Sequence, residues 1–337
     1  QYVRGKELDV NELFTIQDVT DEVILAQDYI TQMLPLIRKV LEQKVAPDID
    51  ISENCFKPYP CDFYNSCWKK IPSLSVFDIG GIRKKKAFEF YRQGIIKQTD
   101  IPRQTKLSDR QWIEVDATTL DCAIIDHRSI REFLKEIRGP LHFLDFETYM
   151  PAIPLYPGTR PYQQLTFQYC LLSTSDVVGQ ITRREFLAEP GCDPRQAFIE
   201  QLLKDTAPAG SIIVYNKSFE VTRLKELAEA FPQYSADIEQ RIARIVDLME
   251  PFAKRQYYSP GFEGSHSIKA ILPVLVPSLS YANLSINNGA IAMSKYQALC
   301  NTTLLDAQKV KSDLLEYCYT DVLAMVEILN VLKQTVK

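Results

Sequence analysis

Two acidic residues set two positions apart in an apolar run, Asp145 and Glu147 in LHFLDFETYM, are the first side chains of this sequence with the makings of a reactive site. Residues i and i+2 of a strand project from the same face. Two carboxylates buried side by side in a hydrophobic strand are costly unless a cation lies between them, so the pattern asks for a metal ion. The competing reading is an ordinary edge strand with a solvated acidic face. Further acidic residues recur downstream. The apolar strand SIIVYN runs into KSFE, which places Glu220 in the first turn of the next helix, at the sheet edge where ligands of open α/β sheets gather. In LLEYCYTDVLAMVEILNVL, Tyr317 and Asp321 stand at i and i+4 on an apolar helix and share a face.

The elements that must position these residues follow from apolar periodicity and turn signals. Leu141 to Tyr149, Thr166 to Thr174 and Thr182 to Ala188 read as successive strands, Pro194 to Asp205 as a helix, Ser211 to Asn216 as a strand and Phe219 to Ala230 as a helix. That order matches an α/β fold of the ribonuclease H-like kind, a mixed sheet flanked by helices, with a smaller and mostly helical region in front. The Gly139-Pro140 break marks a boundary, giving units of 1–72, 73–139 and 140–337.

In the first unit the chain opens at Gln1 inside what reads as an ongoing strand, the mark of a fragment. Asp21 to Leu41 reads as an amphipathic helix kinked or divided at Pro35. Cys55, Cys61 and Cys67 follow at equal intervals among prolines and aromatics, close enough to converge on one metal or cluster. Zinc with three cysteines and a histidine competes, although no histidine precedes His127 and no CxxC pair occurs; buried structural thiols are the third reading. In the second unit, a turn at Gly80 and Gly81 leads into a helix whose first turns carry Arg83, Lys84, Lys85 and Lys86. Such a turn can hold a phosphate backbone in helix-hairpin-helix fashion, or the lysines form a solvated face. A formal net charge of -4 argues against bulk coating of nucleic acid without excluding a local basic groove. No apolar run approaches a membrane span and no signal peptide is visible, so the expected location is cytoplasmic with no membrane partner.

Asp145-x-Glu147, Asn216-Lys217-Ser218-Phe219-Glu220 and Tyr317-x-x-x-Asp321, in that order, resemble the three motifs of the DEDD superfamily of 3′ to 5′ exonucleases. The tyrosine of the third motif points to the DEDDy branch. One departure stands out: the second motif usually ends in Asp, and here it ends in Glu220. The resemblance implies a metal-dependent 3′ to 5′ exonuclease on single-stranded DNA or RNA, using two Mg²⁺ or Mn²⁺ ions. It implies that Asp145 bridges both ions, that Glu147 and Asp321 complete one site, that Glu220 serves the other, and that Tyr317 orients the attacking water. Asp247 in RIVDLMEPF resembles an acidic position found after the second motif, in a supporting role. His266 is ranked with it as a residue that caps or packs a helix, and Arg160, Lys217, Lys254 and Arg255 as phosphate contacts. The three cysteines resemble the C-terminal end of the iron-sulfur RecB-like nucleases, which implies a remnant of a 4Fe-4S site lacking its fourth ligand. The alternative to an enzyme is a nucleic-acid-binding module with a degenerate centre that recruits or guides a partner nuclease.

Overall fold

In the region before the sheet, four longer helices form: α1 (Thr20–Leu41), α2 (Lys84–Arg92), α3 (Asp109–Leu120) and α4 (His127–Glu136). The computed structural model describes residues 2–174, 180–299 and 304–337. Two expectations are corrected here. Residues 2–9 form no strand; Arg4 instead exchanges backbone hydrogen bonds with Gly158 and Thr159, and a helical turn follows at Val10–Leu13. Pro35 does not divide α1, which runs unbroken through it with none of its residues buried. α3 begins at a reciprocal cap, Ser108 Oγ accepting from the Gln111 amide and Gln111 Oε1 from the Ser108 amide. Asp126 caps α4, its Oδ1 accepting from Arg128 and Ser129.

The rest of the chain is a mixed α/β unit. Its sheet contains β1 (Leu141–Tyr149), β2 (Leu165–Thr174), β3 (Ile181–Leu187), β4 (Ser211–Val214) and β5 (Ile245–Asp247), in the spatial order β3-β2-β1-β4-β5. β2 is antiparallel to β1 and β3, whereas β4 runs parallel to β1 and β5 parallel to β4. Antiparallel neighbours need only turns; the parallel ones need crossovers, supplied by α5 (Arg195–Asp205), α6 (Lys217–Ala230) and α7 (Ser235–Ile242). α8 (Ile268–Leu275), α9 (Gly289–Ala298) and the long α10 (Leu304–Thr335) complete the chain. This is the mixed, ribonuclease H-like sheet flanked by helices that the element order predicts.

Period-two alternation assigns the two faces of the sheet. Leu144 and Phe146 of β1 pack with Phe198 and Leu202 of α5, Leu224 and Leu227 of α6 and Ile238 of α7. Phe143 packs on the opposite side with Ile271 and Leu272 of α8 and with Cys318 and Val322 of α10. Ala117 of α3 and Ile130 and Phe133 of α4 enter that same second cluster. At Gly139-Pro140, where the sequence reading places a boundary, the apolar core is therefore continuous. A two-stranded ladder, Ile124–Ile125 against Tyr257–Tyr258, also joins the segment before the break to the one after it.

Candidate metal centre

Since Phe143 faces α10 while Leu144 and Phe146 face the other way, Asp145 and Glu147 must also face α10. On α10 the i and i+4 spacing brings Tyr317 and Asp321 onto the side turned to the sheet, with Cys318 between them. The Cys318 thiol lies 3.7 Å from Asp145 Oδ2. Gln168, opposite Glu147 on β2, donates to the Leu314 carbonyl at 2.8 Å and fixes α10 along the sheet. Carboxylate oxygens of Asp145, Glu147 and Asp321 consequently lie within 4.8 Å of one another, the one such group of three candidate ligand residues among the described residues. They line a cavity of about 180 Å³ together with Tyr215, Ile268, Lys269, Tyr317 and Met325.

The electrostatics are those of crowded, dehydrated acids. Burial, and then the charge of Asp321, raise the Asp145 carboxyl well above the usual carboxylate range. Glu147 is raised in the same way by burial and then by Asp145 and Asp321. Burial also raises Asp321, against the pull of the Tyr281 hydroxyl, Lys269 and the Tyr317 hydroxyl. Tyr281 donates to Asp321 Oδ1 at 2.6 Å. Burial, then Asp321 and Glu147, push the Tyr317 phenol up, so its proton stays on and the hydroxyl can donate a hydrogen bond. Three carboxylates held this close hold protons until a cation replaces them.

Glu220 is 1% exposed, and its Oε2 has no hydrogen-bond partner among the described residues. Burial and then Asp145 raise its carboxyl, which places it in the field of the cluster although it is not one of the three grouped ligands. Its helix is anchored by Asp247: Oδ1 accepts from the Asn216 amide and Oδ2 from the Lys217 amide, both at 3.0 Å. Asn216 takes a left-handed conformation with φ 77°, which Asn tolerates well and which turns the chain from strand to helix. Asp247 thus caps the helix that carries Glu220. His266 is exposed; its backbone carbonyl accepts from Tyr215 Oη at 2.8 Å, and its ring does not line the cavity.

Several expected phosphate contacts are engaged elsewhere. Lys217 Nζ donates to the Ile245 carbonyl at 2.7 Å, Arg160 pairs with Glu226 at 2.9 Å, and Lys254 pairs with Glu250. Arg255 is buried against Glu114 at 2.6 Å, a structural ion pair rather than a surface contact. The basic run is not part of the carboxylate cavity. Arg83 precedes α2, Lys84 stands 3.5 Å over the Phe56 ring, Lys86 donates to the Lys106 carbonyl, and Lys84 and Lys85 line a separate groove with Glu53, Phe56, Lys57 and Arg92. The Gly80 amide, needed for a phosphate-holding turn, is taken by Glu114 Oε2 at 2.7 Å. Cys61 and Cys67 are exposed and Cys55 is half-buried, and the three do not form a ligand group among the described residues.

Lys269, Tyr281 and Cys318 reach the cluster without having been singled out by sequence. Tyr281 comes from a loop and Lys269 from a helix start, positions to which no spacing rule points; Cys318 adjoins Tyr317 on α10 and was legible once that helix face was drawn.

Residues 142–267 match a family described as a domain of unknown function, DUF2779. Among curated proteins the chain is similar to an uncharacterized protein of Ureaplasma parvum, 28% identical over 231 residues that make up 61% of this chain and 33% of that protein. It is also similar to an uncharacterized protein of Mycoplasma pneumoniae, 26% identical over 220 residues, 60% of this chain and 33% of the relative. A Mycoplasma genitalium protein, likewise uncharacterized, is 24% identical over 216 residues, 58% of this chain and 32% of the relative. The chain thus spans about a third of the length of the curated relatives it matches. No solved structure matches it.

Proposed function

We propose that this chain is a metal-dependent 3′ to 5′ exonuclease that hydrolyses phosphodiester bonds of single-stranded DNA or RNA. The observation that carries the reading is the convergence of Asp145, Glu147 and Asp321 within 4.8 Å in one cavity, from a strand and a helix far apart in sequence. The donor set fits a hard divalent cation: all its atoms are carboxylate oxygens, and the buried, unpartnered Glu220 Oε2 offers one more in the field of Asp145. Asp145, Glu147 and Asp321 would hold Mg²⁺ or Mn²⁺, and Glu220 with Asp145 would serve a second ion. Bound there, the ions supply charge neutralisation for the phosphate and lower the pKa of water.

The remaining work belongs to the chain. Tyr281 holds Asp321 Oδ1 by its hydroxyl and fixes that carboxylate's orientation. Tyr317, kept protonated by burial, is a hydrogen-bond donor that orients the attacking water rather than a base that deprotonates it. Ile268 and Met325 give the cavity apolar walls that limit competing water.

Asp145→Asn should abolish Mn²⁺-dependent nucleotide release from a 3′-labelled single-stranded oligonucleotide; full activity in the variant would sink the reading. A second reading, a binding module with a weakened centre, is favoured by Glu220 lying outside the three-ligand group. Tight oligonucleotide binding without cleavage under Mg²⁺ or Mn²⁺ would select it.

A further inference from the structure

Lys269 contributes the one cationic side chain among the described residues lining the carboxylate cavity. It stands in the first turn of α8, whose start is held at the sheet edge because the preceding His266 carbonyl accepts from Tyr215. Its ammonium donates to the Asn287 carbonyl at 2.6 Å and to Tyr317 Oη at 3.4 Å, and it lies over the Tyr281 and Tyr317 rings at 5.4 and 5.3 Å. These hydrogen bonds go to a carbonyl and a phenol rather than to a carboxylate. An ammonium has three donors, and the two bonds leave one to face the cavity. The Tyr317 bond is long and readily exchanged for a charged acceptor. Two observations fix the lysine's neighbourhood. Asn287 leads into α9, and a Cβ added at Gly289 of that helix would lie 3.7 Å from Glu147 Oε2, so the carbonyl that Lys269 binds belongs to the segment that closes over Glu147. Tyr317, the other partner, is the group assigned above to the attacking water.

We infer that Lys269 is the substrate-phosphate contact of this site, its ammonium engaging a non-bridging oxygen of the phosphodiester beside Tyr317. The inference rests on the exonuclease reading and deepens it. A cation whose function is only to offset the buried acids would be expected to bond one of them. A compact ammonium on a flexible stem, parked on exchangeable neutral partners at the mouth of an acidic cavity, instead suits a phosphate that arrives with its own charge. It also answers an electrostatic need, because three carboxylates repel the polyanion that they must process.

The experiment compares wild type, Lys269→Met and Lys269→Arg by two binding readouts besides turnover. These are Mn²⁺ affinity by electron paramagnetic resonance, and affinity for a fluorescent single-stranded oligonucleotide with phosphorothioate linkages, measured across a salt series. Lys269→Met should leave Mn²⁺ affinity equal or tighter. Its oligonucleotide affinity should fall roughly tenfold or more, as for the loss of a charged hydrogen bond. The salt slope should drop by about one, as for one lost phosphate contact. Lys269→Arg should recover most of the affinity. If Lys269→Met loses Mn²⁺ binding while oligonucleotide affinity stays, the lysine only balances charge and the inference is overturned. A wild type that cleaves, matched in every readout by Lys269→Met, overturns the inference and leaves the exonuclease reading standing. A wild type that neither binds Mn²⁺ nor cleaves overturns both. Circular dichroism checks that Lys269→Met folds, and Lys269→Gln carries the same comparison should it not.

Discussion

His142 stands three positions before Asp145, 2% exposed, and holds the start of β1 to its neighbours. Its Nε2 lies 3.1 Å from the Ala209 carbonyl and its Nδ1 2.8 Å from Ser173 Oγ. A carbonyl can only accept, so Nε2 carries the proton and Nδ1 accepts from the serine hydroxyl. Burial lowers the pKa of the ring below the ordinary 6.5, with Arg244 acting the same way and the Ala209 bond opposing. The unfolded chain then takes up this proton at a higher pH than the folded one. Stability from the neutral ring is thus present above about pH 6.5 and is lost as pH falls through the folded value. The stability gap between wild type and His142→Gln should narrow as pH is lowered from 7 to 5, measured by urea unfolding at each pH. The site carboxylates titrate in both proteins and cancel from the difference. A gap that does not change with pH would show that the histidine's contribution is packing alone.

Among elements, the join between α3 and the α/β unit rests on a buried ion pair. Arg255 Nε meets Glu114 Oε1 at 2.6 Å, and the same arginine donates to the carbonyls of Phe252 and Gly264 at 2.9 and 2.7 Å. Glu114 also accepts from the Gly80 amide, and a Cβ at Gly80 would collide with Arg255 and Glu114. The glycine that reads as a phosphate-binding turn is therefore a packing glycine. Removing one partner of such a pair strands a buried charge at a cost of about 3–5 kcal/mol, while replacing both by apolar groups is far milder. Arg255→Met should lose about that much in chemical denaturation, and Arg255→Met with Glu114→Met should recover part of it. Equal loss in the single and double variants would place the energy in packing rather than in the pair. α1 differs from the other long helices: Ile24, Leu25 and Leu41 are 62%, 82% and 77% exposed, so its apolar pattern is not spent on a core among the described residues.

At the scale of the whole molecule, the carboxylates couple ligand binding to folding. They converge only in the native chain, so an ion that binds them stabilises the fold and leaves the unfolded state untouched. With free Mn²⁺ at about a hundred times its dissociation constant, the gain is about 2.7 kcal/mol. Differential scanning calorimetry should record a higher Tm in Mn²⁺ than in a chelator, and Asp145→Asn should remove the shift. A wild-type Tm indifferent to Mn²⁺ would contradict a metal centre here. No helix among the described residues is long and apolar enough to cross a membrane.

Local patterns were sufficient for the parts of this protein whose physics is local. Period-two alternation in LHFLDFETYM and the i, i+4 spacing of Tyr317 and Asp321 turned the acids to one side of a strand and of a helix. The order of strands and helices led to the mixed sheet, since antiparallel turns and parallel crossovers differ in length. Charge and position in the chain misled where a side chain's partner is distant. Arg255 reads as a surface cation until Glu114, 141 residues away, is brought against it, and Lys217 until the Ile245 carbonyl takes its ammonium. Lys269 and Tyr281 are the converse, silent in sequence and central in space. Their part in the site exists only because α8, the segment after it and α10 close over one end of β1, and no spacing along the chain encodes that meeting.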